Sequence, residues 1–334
     1  MKVNYYSTIP PPVIPGTEAV MKEIDLLKGE FGGDFLNLYP FRRYLPGFPK
    51  ILTGIQCVST LRAMDRECDI HHVFLHHLFA LPVLRILKKP VVCTITTTTS
   101  IPGFMSNPRY HIVINSERDA EHLRSKGFDR FSVIKPGIDT SRIAGGVFPY
   151  KGSDFILFSG SAPWIPDHFR RKGFDLLLDL VEKMPDLRLV CLWRGVLYEE
   201  FLQKIKDAGV QDRVEVINRK ADPDEVLSRV HAGIVLADSP GVAAAYPLSL
   251  IESLVAGKPA ITSGCLSISD YIRSHRCGCV VESFTSDDLR RCLHNLMAGY
   301  SSMAENARGR GRMDFSKEGM IESYHRLYSS LVQG

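Results

Sequence analysis

The chain has 334 residues, 45% of them hydrophobic and 23% charged, with a formal net charge of +4. This is the composition of an ordinary globular protein with length for two domains of common size. It excludes three classes. With 41 Lys/Arg against 37 Asp/Glu there is no strongly basic face for nucleic acid, no apolar run reaches the roughly 18 residues of a membrane span, and eight cysteines are too sparse for a disulfide scaffold.

Met1-Lys2 leads straight into VNYY without the basic segment and apolar region of a signal peptide, so a cytoplasmic location is expected. Cys57, Cys93 and Cys191 lie in apolar runs, where a thiol behaves as a small hydrophobe. Residues 1–150 hold 18 Lys/Arg against 13 Asp/Glu, and residues 151–334 hold 23 against 24. The basic excess therefore lies in the first half, at a size that helps docking on an anionic lipid surface.

After the first apolar run, KVNYY, comes the Pro-rich loop Ser7 to Glu18 and then the helical pattern AVMKEIDLLK. Gly16 allows close approach to the backbone, Thr17 is a candidate cap, and free N–H groups at the helix start suit phosphate. Between Tyr39 and Lys50, YPFRRYLPGFPK interleaves aromatic and basic residues. Phe41, Arg42, Arg43 and Tyr44 suit a lipid headgroup region, the alternative being an internal loop whose rings pack on the sheet. DIHHVFL, PVVCTIT, YHIVINS and RFSVIKP continue the strand pattern. His71-His72 and His76-His77 lack the companion ligands of a zinc site, so His71 or His72 is read as strand packing and His76 or His77 as a hydrogen-bonding group for a ligand. No metal site is expected.

The stretch Asp139 to Asp154, with paired glycines and a proline, predicts the domain boundary. The expected division is 1–145, 146–315 and a closing helix over 316–334. The second half repeats the strand pattern in DFILFS, LRLVCLW, RVEVIN, AGIVLA, KPAITS and GCVVES, and Phe174, Leu177, Leu178 and Val181 follow a surface-helix rule. Two doubly wound parallel α/β sheets result, with ligands expected beyond the carboxyl ends of the strands, in a cleft between the domains. After DFILF, Arg170-Arg171-Lys172-Gly173 opens a helix; cations oppose the dipole there unless an anion lies over the same spot. Arg194 ends the next strand and points to the same rim. Cys277-Gly278-Cys279 has no second ligand pair and is not read as a metal site.

YPLSLIESLVAGKPAITS, Tyr246 to Ser263, predicts a helix of about ten residues from Pro247 to Gly257, followed by an inner strand from Lys258 to Thr262. Glu252 falls at the edge of the apolar face defined by Leu248, Ile251 and Val255, with Ser249 on its other side, and should be half-buried. Read from this helix alone, Glu252 is equally an ordinary acidic residue stabilised by the dipole.

The Pro-rich loop with Gly16-Thr17-Glu18, the segment INSERDAEHLRSKGFDRFSVIKPGIDTSRI, Lys172-Gly173 and PLSLIESLVAGKPAI together resemble the GT-B glycosyltransferases of family 4 over nearly the whole length. The resemblance implies two Rossmann-like domains, an acceptor in the first, and a UDP- or GDP-sugar donor in the second. It also implies a final helix, Ser316 to Leu331, that crosses back to the first domain. It implies retention at the anomeric carbon with no cofactor or metal. If the loop from Tyr39 to Lys50 meets the inner membrane face, a lipid-linked or membrane-proximal glycan is the expected acceptor. Carried over by position, Gly16 would lie against the donor diphosphate, Lys172 would neutralise it, Leu248 and Ser249 would offer backbone or hydroxyl groups, and Glu252 would bind ribose. Where the family has the first carboxylate of its E-x7-E motif this chain has Ala244. Where it has a glycine, a histidine near the sugar and an arginine, the chain has Pro247, Thr96 and Ser161. Thr96 and its threonine run, His76 or His77, and Arg170, Arg171 or Arg194 are the candidate stand-ins. The alternative is a silent subunit that binds nucleotide or a partner.

Overall fold

The computed structural model describes residues 1–41, 48–75, 81–96, 109–145, 150, 152 and 154–333. They form two compact units, Met1–Gly137 with Lys317–Gly334, and Ile138–Ser316. The expected boundary at 145/146 is thus displaced to 137/138. Ile138 donates its N–H to Phe315 O and bridges Ser316, and Arg312 bonds the carbonyls of Ile143 and Ala144. The loose segment after Ile138 is therefore tied to the second unit.

The first unit contains β1 (Val3–Ser7), α1 (Ala19–Phe31), β2 (Phe35–Asn37), α2 (Val58–Glu67), β3 (Ile70–Leu75), β4 (Val91–Ile95), β5 (Tyr110–Ile114), α3 (Glu117–Ser125) and β6 (Phe131–Val133), together with the closing helix α12 (Lys317–Gln333). Its strands pair in parallel in the order β2-β1-β3-β4-β5-β6. β2 was not read from the sequence: FLN is a three-residue strand outside the longer apolar runs. Side chains alternate faces along each strand. Tyr6, Val73, Cys93 and Ile112 fill one layer, while Tyr5, Phe74, Val92 and Val113 pack with Ile24 and Leu27 of α1 and Tyr324 and Tyr328 of α12 in the other.

The adjacent His71 and His72 follow the same alternation and both are fully buried. His71 lies 2.9 Å from Asp65 through Nε2 and 2.8 Å from the Tyr6 hydroxyl through Nδ1. Nε2–H donates to the carboxylate, so Nδ1 accepts from tyrosine. Both histidines are structural, and each satisfies its ring nitrogens inside its own layer.

The second unit contains β7 (Phe155–Ser159), α4 (Asp167–Arg171), α5 (Phe174–Lys183), β8 (Leu187–Leu192), α6 (Tyr198–Asp207), β9 (Val214–Ile217), α7 (Pro223–Leu227), β10 (Ala232–Val235), α8 (Leu248–Val255), β11 (Ala260–Ser263), α9 (Ile268–His275), β12 (Gly278–Val281), α10 (Ser286–Ala298) and α11 (Tyr300–Asp314). Its parallel order is β12-β11-β10-β7-β8-β9. All six strands lie within the apolar runs read from the sequence. Their near-continuous hydrophobicity follows from helices covering both faces.

Helix α11 supplies paired tests of packing. A Cβ on Gly311 would lie 2.6 Å from the Leu254 carbonyl group of α8, whereas one on Gly309 meets nothing within 4 Å. Gly→Ala gains about 1 kcal/mol of helix propensity, but overpacking against backbone costs about 1–3 kcal/mol. Gly309→Ala should therefore stabilise by up to about 1 kcal/mol and Gly311→Ala should be destabilising, opposite shifts readable in urea titrations.

His231 is 3% exposed, accepts the Ile156 N–H at Nδ1 (2.9 Å) and stacks on Phe155. Burial, aided by the charge of Lys258, pushes its pKa down to about 4. The unfolded chain takes up this proton near pH 6.5, so stability is present above that value and is lost as pH falls towards 4. Between pH 7 and 5 the loss expected from this group is about 1–2 kcal/mol. His231→Asn, which keeps an acceptor, should flatten the dependence of the urea midpoint on pH; an unchanged slope would remove His231 from the account.

Candidate functional site

In an open parallel sheet the ligand lies outside the carboxyl ends of the strands where strand order reverses. In the second unit that point falls between β7 and β10, which are neighbours although not consecutive in the chain. The loops leaving these two strands collect most of the residues singled out in the sequence.

The loop after β7, Gly160-Ser161-Ala162, is the hub. Lys172, only 5% exposed, directs Nζ to Ser161 Oγ (3.2 Å), Ser161 O (3.4 Å) and Ala162 O (3.2 Å). Arg194, which follows β8, donates to the same Ala162 carbonyl (2.8 Å) and lies over the Trp164 ring at 4.5 Å. A Cβ at Gly160 would come within 2.7 Å of the Ser249 Cβ, so glycine is needed for α8 to approach the end of β7. Lys172, Arg194 and Ser249 thus converge on three successive residues. The hub residues carry no motif beyond the glycine, and the contact of Gly160 with Ser249 was not legible beforehand.

Gly173 adopts the left-handed conformation (φ 68°) and opens α5 directly after Lys172. A Cβ there would strike the Leu236 side chain at 2.9 Å. Lys172-Gly173 is therefore fixed twice, by the lysine's buried bonds and by the close passage of the loop after β10.

Arg171 belongs to a different set. Its Nε lies 3.2 and 3.3 Å from the Asp238 carboxylate and its Nη2 donates to Ser239 Oγ at 2.7 Å. The loop after β10 also returns the Asp238 N–H to the Arg171 carbonyl. Arg171 thus clamps the end of α4 to the loop after β10. Desolvation opposes ionisation of Asp238, but the bonds from Arg171 and Ser239 hold its carboxyl below the usual range. His168, one turn before Lys172, accepts the Trp164 N–H. Burial, with Lys172 and Arg171 nearby, pushes its pKa down to about 4, which keeps it neutral.

Helix α8 is shorter than expected. Pro247 is its N-cap with extended backbone (φ −63°, ψ 128°), not its first helical residue, because its carbonyl takes the N–H groups of Leu250 and Ile251. The end is as read: Gly257 has φ 76°. Leu248 and Ser249 form the first turn, whose N–H groups point out of the helix start. Glu252 is 7% exposed, more buried than the half-burial expected. The helix is buried on all sides, from Ser249 to Val255. Ala244 lies in the loop between β10 and α8.

In the first unit the order reverses between β1 and β3, and the loop after β1 carries Gly16 and Thr17. Gly16 has φ 77°, which justifies the glycine. Thr17 does not cap α1. Its hydroxyl donates to Ile14 O (2.8 Å), and the N-cap is Glu18, with no side-chain cap bond. Thr96, just past β4, gives its N–H (3.1 Å) and its hydroxyl (3.4 Å) to Leu75 O. His76 and His77, directly after β3, lie outside the described residues, as do Arg42, Arg43 and Tyr44. Phe41 is described and 41% exposed; it packs edge-on to Tyr39 and Phe48.

Residues 150–312 match the family model of the glycosyl transferases group 1. The lipopolysaccharide glucosyltransferase WaaG of Escherichia coli K12 is 24% identical over 197 residues, covering 54% of this chain and 51% of that protein, so the chain spans about half the length of the curated relative it matches. Among solved structures, the sucrose-phosphate synthase of Thermosynechococcus elongatus superposes with a TM-score of 0.78 at 13% identity, covering 99% of each chain. HepE of Anabaena in complex with UDP-glucose gives 0.73 at 14%, covering 99% of this chain and all of that one. At such identities the likeness is one of fold. The chain therefore carries, over residues 150–312, a glycosyl transferases group 1 domain, and its two six-stranded parallel sheets are those of the GT-B fold.

Proposed function

We propose that the protein transfers a sugar from a nucleoside-diphosphate sugar, UDP- or GDP-linked, to a glycan or lipid-linked acceptor, with retention at the anomeric carbon and without a metal ion. The observation that carries this reading is the convergence of Lys172, Arg194 and the first turn of α8 on the loop after β7, at the reversal of strand order. Fixed cations and helix-start amides stabilise the negative charge that grows on a departing diphosphate, and they need no reorganisation during the reaction. The leaving phosphate then accepts the proton of the acceptor hydroxyl. Glu252, on the second turn of α8, accepts hydrogen bonds from the donor ribose.

Incubation with a panel of nucleotide sugars should show slow hydrolysis of one donor, insensitive to EDTA, and a thermal shift with the same nucleotide. Hydrolysis that EDTA abolishes would remove the metal-free part of the reading. Ala244, in the place of a family carboxylate, favours a second reading, a silent subunit that binds nucleotide or a partner. A thermal shift with no turnover selects it, and neither response removes both.

A cytoplasmic protein peripheral to an anionic membrane face belongs to the same proposal. Phe41, Ile51, Leu52 and Ile55 are exposed apolar residues of the first unit. Residues 70–116 contain no Asp or Glu but carry Arg85, Lys88, Lys89 and Arg109. Apolar and basic groups presented together suit an anionic interface. The protein should float with anionic liposomes, less so as Ile51→Ser/Ile55→Ser. No flotation of the wild type, or no effect of the pair, would sink the membrane reading.

A further inference from the structure

A chain of hydrogen bonds, buried except at its half-buried Glu23 end, links α12 to the body of the first unit. The Tyr324 hydroxyl lies 3.3 Å from Glu23 Oε1 of α1 and 2.9 Å from Thr94 Oγ1 of β4. Thr94 Oγ1 lies 2.7 Å from Nε2 of His72, whose Nδ1 lies 2.6 Å from the Tyr328 hydroxyl. Tyr324 and Tyr328 stand one turn apart on α12, so the chain leaves α12 at one tyrosine and returns at the next. Each hydroxyl has one proton and a neutral imidazole has one N–H. Fixing the direction of one bond therefore fixes all of them.

With Glu23 ionised, the carboxylate only accepts. Tyr324 donates to Glu23, Thr94 donates to Tyr324, His72 donates from Nε2, and Tyr328 donates to Nδ1. With Glu23 protonated, its O–H donates to Tyr324, Tyr324 to Thr94, and Thr94 to Nε2. The imidazole proton then sits on Nδ1 and is given to Tyr328, whose own proton is freed. The buried Tyr5 hydroxyl is beside Tyr328 to receive it. Between the two states one proton leaves Glu23 for solvent, and the imidazole keeps one proton on its other nitrogen.

We propose that Glu23 and His72 are the two ends of one proton-ordered latch, in which the charge on Glu23 selects the tautomer of His72 and the direction of every bond holding α12 to the sheet. The groups facing the pair are the tyrosines: Tyr324 and Tyr328 from α12 and Tyr5 from β1. Burial raises the Glu23 pKa to about 7, against the opposing bond from Tyr324. Burial lowers that of His72 to about 3. The carboxyl end of the chain therefore titrates near neutrality while the imidazole stays neutral.

The test is long-range proton–nitrogen NMR of the full chain labelled at histidine nitrogen, with His72 assigned by the loss of its peaks in His72→Asn. Between pH 5 and 9 the wild type should move from the Nδ1–H to the Nε2–H tautomer with a midpoint near 7. Glu23→Gln should show one tautomer mixture at all pH values. Tyr324→Phe, which cuts the first link but leaves Glu23 titratable, should also abolish the change. A single His72 tautomer throughout the wild-type titration overturns the proposal without any variant, and so does a switch that persists in Glu23→Gln.

Discussion

Replacing Lys172 with Met should lower donor turnover by about 10²–10³-fold, the cost of removing one fixed positive donor from a site where charge develops. The side chain is nearly fully buried, and its ammonium is aimed by three oxygens of the Ser161-Ala162 segment. Met keeps the length of the stem, so packing around α5 is retained and the change falls on charge. Two consequences separate a donor role from a structural one. If Lys172 only ties down the loop after β7, Lys172→Met should lower thermal stability while turnover per folded molecule stays near wild type. If it neutralises diphosphate, the melting temperature should change little without ligand, and the thermal shift given by the nucleotide should disappear. Arg in place of Lys should not restore activity. A planar fork does not reproduce a compact ammonium held by two carbonyls and a hydroxyl, and Gly173, pinned against Leu236, leaves no room to adjust the backbone.

Arg194 is the internal control for that argument. It shares the Ala162 carbonyl with Lys172 but is half-buried and leans on Trp164. Arg171 lies next to Lys172 in sequence, yet its guanidinium goes to Asp238 and Ser239. A run of three cations is one sign in the sequence, and the fold gives its members separate tasks. The end of a short helix decides them: Arg171 is the last residue of α4 and faces the loop after β10, while Lys172 is its C-cap and turns to the loop after β7.

The same contrast explains what could be read beforehand. Strands such as FILFS and LRLVCL announce themselves because a parallel sheet covered on both faces demands unbroken apolar runs. Lys172-Gly173 and the end of α8 are legible because a left-handed glycine and a proline after a helix are local requirements. Thr17 was misread because a threonine before a helix fits a cap and an internal loop bond equally well, and the choice depends on where the carbonyl of Ile14 turns. The burial of Glu252 was underestimated because α8 is covered on its polar side as well, Ser249 and Ser253 included, and such cover comes from tertiary packing that the helix's own pattern does not show. The boundary at 137/138 is likewise set from a distance, by Phe315 and Arg312 capturing the segment after Ile138.

Glu252→Gln carries the second large expectation: donor affinity weaker by about 10–100-fold, the worth of a hydrogen bond to a charged group, roughly 1.5–3 kcal/mol. Glutamine has the same shape and keeps an acceptor oxygen, so the packing of α8 beneath α11 and the stability of the second unit should be preserved. The carboxylate sits one turn beyond Ser249, whose Cβ is held against Gly160. Phosphate-binding and ribose-binding groups would therefore be borne by consecutive turns of a single rigid helix. That arrangement predicts a definite pattern in calorimetry with UDP-glucose and with UDP. Both should lose affinity to the same extent in Glu252→Gln, because the ribose is common to them, whereas Lys172→Met should weaken UDP more than uridine. Unchanged affinity in Glu252→Gln would return the residue to a buried acid of the helix. A loss for UDP-glucose but not for UDP would move its contact from ribose to the sugar being transferred. The carboxylate missing at Ala244 makes this discrimination sharper, since no second acid eight residues upstream shares the load.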